Sequence, residues 1–576
     1  MNLGIDFGST YSMLSYYNEV DDTVQAVQSQ VGSKYIPSIA CFDYNEEMIT
    51  GQAAKELLAG EPDWTAYRAF KMLLPECDKA RLASRGYSRE CNPRMVTKEF
   101  LRQQLLMAKA SCSVDRFENV IICIPAVWNT ELYTMSGKAI LRDICRELDM
   151  MDKVTVVSEP AAASAYFAYN YHKNTKKLYD GLILIVDYGG GTLDITLTKV
   201  NTTVRENGTQ SMEIDVLGQT GAGENHGKNI GDAGIAYMEG VVKLALKKAG
   251  IEEPAYDGHF QKALNVLESM LISKSNDLST RLRRFYGGVP ERMEEDETKF
   301  TTLSYRGKPV QVTYATLYEA YNTIIRPVLA QQLDNICRDY LKPENIDPRR
   351  AVDGLKIALV GGFGQFFLVQ KQVWDYFHIS DTLKDSRLQD LSYGTVGQAG
   401  QAVDSGKEDA ISYGAALIAS GVVTMRKTAK LSVGLFTTSN GQDTFNYAIY
   451  HRNELEYGKV YYVNKSIFYG GKGTTSAAKS PWVFAIGQGG NYNKAYRMVP
   501  LKEKQAQLEK IPVGAYKLGF SVDESDVYTF HVTPLDMETN REIESKATKL
   551  SLGNFSDIFG PNVVYEEKNA FYKMSR

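Results

Sequence analysis

Two segments of this 576-residue chain share one order of features: a short apolar strand, an Asp-x-Gly turn with hydroxyl side chains, and a second extended run. The first is centred on Asp6-Phe7-Gly8-Ser9-Thr10 and the second on Asp187-Tyr188-Gly189-Gly190-Gly191-Thr192. The two aspartates are 181 residues apart. This repeat predicts two related halves, each of which contributes one hairpin to a shared cleft. Consecutive glycines in a strand context are costly unless the backbone must approach another group closely, so a pair of plain tight turns is the less favoured alternative.

The chemistry of these hairpins indicates an anionic ligand. A turn of this kind directs backbone N–H groups and hydroxyl groups towards one point, which suits a phosphate chain, and glycine permits the close approach. Asp6, at the end of its strand, suits a magnesium ion, which keeps several waters and meets protein through one or two carboxylates. We therefore expect a cleft that binds phosphate and magnesium.

A third glycine-containing junction, Gly361-Gly362-Phe363-Gly364, follows the apolar run Ile357–Val360. Glycines between a strand and a helix let a ligand sit against the helix N-terminus, where free N–H groups point outward. An ordinary strand-to-helix turn explains this element about equally well when it is taken alone. The chain lacks a Gly-x-x-x-x-Gly-Lys-[Ser/Thr] loop, which disfavours a Walker-type ATPase.

Composition excludes several classes of protein. The chain is 44% hydrophobic and 23% charged, as in ordinary soluble proteins, and is long enough for roughly two to four domains. Its net charge of −4 gives no reason to expect nucleic acid or a membrane as partner. Its seven cysteines form no CxxC pair, which disfavours a zinc site and a disulfide framework. The first motif begins at Leu3-Gly4, and no apolar run approaches the roughly 20 residues of a membrane span, so we expect a cytoplasmic protein.

The pattern of residues changes along the chain. Residues 1–421 alternate β-rich runs with amphipathic segments, which predicts an α/β fold. Within them, Glu206–Gly231 and Gly287–Lys308 are predicted to be exposed inserts. Tyrosine-rich alternating runs separated by glycine-rich turns follow, which predicts a β-sandwich-like domain over residues 430–576.

These motifs, in this order, resemble the 70-kilodalton heat-shock chaperone family of the actin-like ATPase superfamily. The resemblance spans residues 1 to about 421 and is carried by Gly4–Ser12, Ile36–Ser38, Gly51–Lys55, Val120–Ala126, Ser158–Ala163, Ile183–Leu197, Leu359–Gly362 and Asp409–Ala416. It implies an α/β actin-like ATPase domain of two duplicated lobes at residues 1–421. It also implies that residues 430–576 form an all-β domain like a lidless peptide-binding domain.

The resemblance also implies roles for single residues. The phosphates and the rest of the nucleotide would be held by Gly8, Ser9, Thr10, Tyr11, Gly189, Gly190, Gly191, Thr192, Gly361, Gly362 and Gly364. Magnesium would be oriented through its waters by Asp6 and Asp187. The catalytic set would be Lys71, Glu159, Asp187, Thr192 and Asp194, with Lys71 and Glu159 beside the attacking water. Taken alone, these two would more often be a surface lysine and a carboxylate at a helix N-terminus.

The chain departs from the family's pattern at several places. Phe363-Gly364-Gln365 replaces the Ser-Thr-Arg that follows the glycines, whose arginine stacks on the base. Glu268 and Lys274 lie on a segment that resembles the family's adenosine-binding helix only loosely. Val422–Lys427 replaces the acidic, leucine-rich linker, and after Leu552 only a couple of dozen residues remain, fewer than the helical lid needs.

The expected function is therefore that of a divergent chaperone. The resemblance implies a slow ATP hydrolase with ATP/ADP and magnesium as cofactors. Its nucleotide state would be coupled to a polypeptide client or a specific protein partner, and co-chaperones are further candidate partners. The alternative is a nucleotide-gated interaction or scaffold protein without foldase activity. A filament-forming actin relative is disfavoured by the C-terminal β-domain, and a sugar kinase by the lack of a recognisable sugar pocket.

Overall fold

A computed structural model gives the fold of most of the chain. It describes residues 1–28, 32–60, 64–76, 78–130, 135–204, 210–222, 234–252, 254–274, 277–278, 280–281, 295–342, 345–350, 354–380, 385–388, 409–429, 432–439, 442–450, 453–463, 467–469, 483–487, 495–500, 514–523 and 527–553. The chain divides into two compact units. Met1–Thr130 and Ile140–Met425 form the first, and the second is made chiefly of residues after Arg426.

The first half of the first unit is built on one large sheet. Its strands and those of a small neighbouring sheet are β1 (Asn2–Asp6), β2 (Tyr11–Asn18), β3 (Thr23–Ala26), β4 (Ile36–Pro37), β5 (Ile39–Phe42), β6 (Met48–Thr50), β7 (Tyr67–Arg68), β8 (Phe117–Ile124) and β9 (Met151–Ser158). The large sheet has the order β3-β2-β1-β8-β9, and β4 also pairs with β2. Strands β3, β2 and β1 are successively antiparallel, whereas β1, β8 and β9 are parallel. The small sheet has the order β6-β5-β7.

The second half repeats this topology. Its strands are β10 (Gly181–Tyr188), β11 (Leu193–Val204), β12 (Gln210–Ala222), β13 (Lys299–Tyr305), β14 (Lys308–Thr313), β15 (Leu355–Val360) and β16 (Val423–Met425). Strands β12, β11 and β10 are successively antiparallel and β10 is parallel to β15, as in the series β3-β2-β1-β8. Each half therefore presents a hairpin, β1–β2 or β10–β11, beside a parallel strand.

Helices cover and connect the sheets. They are α1 (Gly51–Gly60), α2 (Lys79–Ser84), α3 (Pro93–Cys112), α4 (Val127–Thr130), α5 (Met135–Leu148), α6 (Glu159–Thr175), α7 (Gly234–Lys248), α8 (Gly258–Ser273), α9 (Tyr314–Ala320), α10 (Arg326–Ile336), α11 (Phe367–Tyr376) and α12 (Ala410–Ala419). Local sequence explains several of their ends. Asn92 caps the N-terminus of α3 ahead of Pro93, and the Asp257 side chain accepts a hydrogen bond from the Phe260 amide at the start of α8. Two π-helical turns, Tyr321–Ile325 and Cys337–Leu341, follow α9 and α10.

Two helices rich in small residues join the halves. A Cβ atom added at Gly414 of α12 would lie 1.7 Å from the Ala162 carbonyl oxygen of α6, so the two helix backbones are in direct contact. Ser412 of α12 donates a hydrogen bond to the Met13 carbonyl oxygen of β2 at 3.1 Å. One core cluster contains residues of α6 and α12 together with residues of β8 and β10. The shared core fixes the two hairpins relative to each other.

The two predicted inserts are wrong where the structure describes them. Gln210–Ala222 forms β12, which pairs with β11 along its whole length, and Met212 and Ile214 are buried. Lys299–Tyr305 forms β13, whose residues Phe300, Leu303 and Tyr305 are buried in the core. The glycines of the first run and the acidic residues that precede the second favoured exposure in the sequence. Residues 205–209, 223–233 and 282–294 lie outside the described part of the chain.

Beyond Arg426 the described residues contain mostly strands. They are β17 (Ser432–Ser439), β18 (Gln442–Ile449), β19 (Tyr461–Tyr462), β20 (Ile467–Tyr469), β21 (Val483–Gly487), β22 (Ala495–Pro500), β23 (Gly514–Val522), β24 (Tyr528–Leu535) and β25 (Thr548–Gly553). They form two antiparallel sheets, β18-β17-β21-β22 and β19-β23-β24-β25, and β20 also pairs with β23. The all-β class of residues 430–576 stays a prediction, because much of this region is not described. Within the described chain, every helix is too short or too polar to span a bilayer.

Candidate functional site

The two repeated hairpin loops meet face to face. The loop Gly8–Thr10 lies between β1 and β2, and the loop Gly189–Thr192 joins β10 to β11. A Cβ atom added at Gly190 would lie 2.2 Å from Thr10 Oγ1, and one added at Gly191 would lie 2.2 Å from Ser9 Oγ. The hydroxyl groups of the first loop therefore touch the glycine backbone of the second, and a side chain at either glycine would displace them.

Hydrogen bonds from outside the hairpins hold both loops. The first two amides of α7, of Gly234 and Ile235, donate to the carbonyl oxygens of Gly189 and Gly190 at 3.2 and 2.8 Å. In the first loop, the Thr10 carbonyl oxygen accepts a hydrogen bond from the Ser38 amide at 2.7 Å. The loops are thus preorganised by the surrounding fold.

Three aspartates lie beneath the loops. Asp6 ends β1, and Asp187 and Asp194 are cross-strand partners on β10 and β11. Asp187 and Asp194 are 3% and 0% exposed. Oδ1 of Asp194 accepts a hydrogen bond from the Val127 amide at 3.1 Å. The buried Oδ2 atoms of Asp187 and Asp194 have no hydrogen-bond partner among the described residues. Buried polar atoms are rarely left in this state, which indicates that a ligand completes the site.

The electrostatics of the aspartates support the same conclusion. Burial, reinforced by the charge of Glu159, raises the pKa of Asp6 to about 7 and that of Asp194 to about 8. The same two causes raise the pKa of Asp187 well above its usual range. Ionised carboxylates in this position need a cation to compensate their desolvation.

A buried ion pair lies beside the aspartates. Lys71 donates a hydrogen bond through Nζ to Oε1 of Glu159, the first residue of α6. Lys71 is 1% exposed and Glu159 is 7% exposed, and the ammonium group lies 5.5 Å from the centroid of the Phe7 ring. Lys71 is therefore not the surface lysine that its sequence context alone suggests. Its charge partly offsets the desolvation of the three aspartates.

The donor set constrains how a metal ion can bind. Among the described residues, no group of three or more His, Cys, Asp or Glu side chains is arranged to hold a metal ion directly. The carboxylates Asp6, Asp187 and Asp194 nevertheless have the hard oxygen donors that magnesium prefers. Such an ion would complete its coordination shell with waters and phosphate oxygens, as expected from the sequence.

A cleft that is open to solvent extends from the first loop. Ser9, Thr10 and Tyr11 line one end. Side chains from both halves line the rest, among them Lys55, Arg68, Arg85, Tyr256, Leu264 and Glu268.

An ion pair joins the two halves across this cleft. Arg85 Nη1 donates to Glu239 Oε1 of α7 at 2.9 Å, and the guanidinium group stacks 4.3 Å from the centroid of the Tyr256 ring. On the first half, Lys55 Nζ donates to the Tyr11 hydroxyl at 2.8 Å.

The third glycine junction lies beside the second loop. Gly361 has a φ of +82°, and a Cβ atom there would lie 2.5 Å from the Tyr188 carbonyl oxygen, so only glycine fits. The Phe363 ring lies 5.6 Å from the Tyr237 ring and fills the space beside Gly234. Gly362 has open space where a Cβ atom would be, and Gly364 lies against Leu359. The side chain of Gln365 is outside the described part of the structure.

Of the two residues on the segment that resembles the adenosine-binding helix, one lines the cleft and the other does not. Glu268, on α8, lines the cleft. Lys274 does not line it, because its Nζ donates to the Phe300 carbonyl oxygen at 2.9 Å. Sequence reasoning missed Arg68, Arg85 and Tyr256, which no local pattern marks.

Comparison with known proteins gives a weak relationship. No protein family model matches the chain. It is similar to the chaperone protein DnaK of Thermotoga neapolitana, with 24% identity over 382 residues that cover 65% of this chain and 55% of the relative. The chaperone protein DnaK of Elusimicrobium minutum is 26% identical over 381 residues, which cover 65% and 53% of the two chains. The chain thus spans about half the length of the curated relatives it matches. This similarity supports the resemblance to the 70-kilodalton heat-shock chaperones at the family level.

Proposed function

We propose that this chain binds and slowly hydrolyses ATP in an actin-like cleft and couples its nucleotide state to the binding of an extended polypeptide. The observation that carries the proposal is the meeting of the loops Gly8–Thr10 and Gly189–Thr192 above buried, incompletely bonded carboxylates. The similarity to DnaK supports a chaperone of this type at the family level.

The loops would hold the phosphates. Ser9, Thr10 and Thr192 supply hydroxyl groups, and the glycines leave the backbone amides open to close approach. Tyr11 would contact the nucleotide from the first half, since it lines the cleft next to Thr10. The glycines at 361 and 362 would border the nucleotide from the second half.

The aspartates fit a magnesium ion held through its waters. The unpartnered Oδ2 atoms of Asp187 and Asp194 would accept hydrogen bonds from those waters, and Asp6 would do so from the other hairpin. When bound, magnesium neutralises charge on the phosphates during phosphoryl transfer.

The pair Lys71–Glu159 would position the reaction. Glu159 holds the ammonium group of Lys71 in one orientation within the buried cluster. Lys71 would stabilise negative charge on the transferring phosphoryl group, and Glu159 would orient the attacking water. Phosphoryl transfer requires little more than such positioning and charge stabilisation, so a strong base is not needed.

The coupling between nucleotide state and peptide binding would run through the segment that precedes the second unit. In the proposed division, residues 1–421 form the nucleotide-binding domain and residues 430–576 the peptide-binding β-domain. Strand β16 pairs in parallel with β12, Val423 is buried, and β12 pairs in turn with β11, which carries Asp194. A change at the carboxylates can therefore reach β16 through two strand ladders.

Reciprocal binding measurements test this function. An extended, apolar-rich peptide should change the rate of ATP hydrolysis, and ATP should change the rate of peptide release. By linkage, the coupling between ATP and peptide must appear in both binding affinities. If ATP is hydrolysed but neither ligand affects the other, the chain is instead a nucleotide-gated scaffold without foldase activity.

A further inference from the structure

A β-bulge in β12 turns the side chain of Gln219 towards α6. The ladder between β11 and β12 shifts register once, at the extra residue Leu217. Side chains alternate between the two faces of a strand, and an extra residue reverses this alternation. Gln219 therefore shares a face with its cross-strand partner Thr196 and with Ile214, which belongs to the core cluster that contains α6. In a regular strand, Gly218 would occupy this place.

The Gln219 side chain binds the junction between β9 and α6. Its Nε2 atom donates hydrogen bonds to Ser158 Oγ at 2.9 Å and to Thr196 Oγ1 at 3.4 Å. Ser158 and Thr196 are 6% and 0% exposed, so water competes little for these hydroxyl groups. A serine at a helix N-cap usually accepts a hydrogen bond from a helix amide. Ser158 is the N-cap of α6 but its side chain makes no such bond, and its hydroxyl group is bound by Gln219 instead.

The residue that follows this junction is Glu159, the first residue of α6. Its carboxylate accepts the hydrogen bond of Lys71 beside the buried aspartates. The first amides of a helix have no partner within the helix, so contacts with neighbouring elements hold its first turn. The bond from Gln219 to Ser158 is such a contact, and it fixes the backbone from which the Glu159 side chain extends.

Another hydrogen bond joins the same sheet to α6 farther from the carboxylates. Thr198 Oγ1 donates to Ser164 Oγ at 2.9 Å, and Ser164 Oγ donates to the Pro160 carbonyl oxygen at 3.0 Å. Ser164 lies more than one helical turn after Glu159. Loss of the Thr198 hydroxyl group therefore removes a buried bond between the sheet and α6 but leaves the junction at Ser158 intact.

We propose that Gln219 is a positioning residue for ATP hydrolysis, which acts through Ser158 on the orientation of Glu159. The inference rests on the proposed function, in which Glu159 orients the attacking water. The described residues that line the cleft include neither Gln219 nor Ser158. A displacement of about 1 Å in a group that orients a reactant can cost about a hundredfold in rate. Gln219 therefore controls the rate of hydrolysis and has little effect on the affinity for ATP.

The rate of hydrolysis and the affinity for ATP are measured separately on the full chain. Single-turnover hydrolysis with magnesium gives the rate, calorimetry gives the dissociation constant of ATP, and urea denaturation gives the stability of each variant. Gln219→Met removes the amide and keeps the length of the side chain. Ser158→Ala removes the other partner of the bond, and the double variant removes both. Thr198→Val is the matched control.

Gln219→Met and Ser158→Ala should each lower the rate about tenfold, while the affinity for ATP changes less than about twofold. The double variant should be no slower than either single variant, because both changes break the same hydrogen bond. Thr198→Val should keep the rate within about twofold of the wild type, whatever stability it loses.

Three results would overturn the inference while the nucleotide site stands. They are wild-type rates in both single variants, rate losses that multiply in the double variant, and a Thr198→Val protein as slow as Gln219→Met. The last two would show that these side chains only support the packing of α6. A wild-type protein that does not hydrolyse ATP refutes the proposed function itself.

Discussion

The ammonium group of Lys71 is hydrogen-bonded to the Glu159 carboxylate, although the two residues are 88 positions apart. Both side chains are buried, so the pair gives up two hydration shells. Buried ion pairs contribute little net stability compared with apolar groups of the same shape. The position of this pair, beside three aspartates and two glycine loops, supplies a functional reason for it.

Replacing Lys71 by methionine should abolish ATP hydrolysis and destabilise the protein. The change leaves Glu159 buried among like charges, and the loss of one partner of a buried pair costs about 3 kcal/mol. Urea denaturation and single-turnover hydrolysis measure the two effects. The double variant Lys71→Met/Glu159→Gln should recover most of the stability but none of the activity. Recovered hydrolysis would show that Lys71 takes no part in the reaction.

Alanine at Gly191 should weaken nucleotide binding about tenfold, the cost of one lost hydrogen bond to a charged group. The added methyl group would lie 2.2 Å from Ser9 Oγ and 2.8 Å from Met72 Cγ, so the Ser9 hydroxyl must turn away. Gly60→Ala is the control, because a Cβ atom there meets nothing within 4 Å. Equal ATP affinities of the two variants, measured by calorimetry, would contradict the proposed role of the loops.

Local sequence was sufficient to predict the elements whose conformation is set by neighbouring residues. The two hairpin strands predicted before the loops end at the Asp-x-Gly turns, β1 at Asp6 and β10 at Tyr188. Turn glycines and strand aspartates are set by their own neighbours, so their pattern is visible in the chain.

Elements that depend on distant contacts were missed. Strand β12 is stabilised by its pairing with β11 and by packing such as that of Gly218 against Tyr340. Arg85 meets Glu239 across 154 residues, and nothing near Arg85 in the sequence marks that contact. The resemblance drew attention to Lys71, but its burial beside Glu159 follows only from the fold.

Without nucleotide and metal, the protein should lose stability as the pH rises. The pKa values of Asp6 and Asp194, about 7 and about 8, lie above the ordinary value of 3.8, so the folded chain binds more protons than the unfolded chain between these values. The stability these groups contribute is present below about pH 4 and is lost as the pH passes through 7 and 8.

Asp194→Asn isolates this effect, because asparagine does not ionise. The variant's free energy of unfolding should change less between about pH 5.5 and about pH 8 than that of the wild type. Urea denaturation at the two pH values measures the difference. Identical pH dependence in the two proteins would show that Asp194 does not titrate as its burial requires.

Arg85→Ala should speed nucleotide release about tenfold, because the ion pair that joins the two halves is lost and the cleft opens more readily. Its ion pair with Glu239 holds the first half to α7, whose first amides anchor the second loop. The rate of hydrolysis at saturating ATP should change less than about threefold, because no group beside the aspartates is altered. Fluorescent-nucleotide release measures the effect, with Arg102→Ala as control. Unchanged release would mean that this pair does not hold the cleft closed.

The central claim is that the carboxylates beneath the two loops support ATP hydrolysis. Single-turnover hydrolysis of ATP with magnesium, compared between the wild type and Asp187→Asn, tests it most directly. Asp187 is the cross-strand partner of Asp194 and has an oxygen with no hydrogen-bond partner within the described structure. Replacing its carboxylate by the amide of asparagine should therefore reduce the rate of hydrolysis at least about a hundredfold. Wild-type protein without turnover, or a variant with the wild-type rate, would contradict the claim.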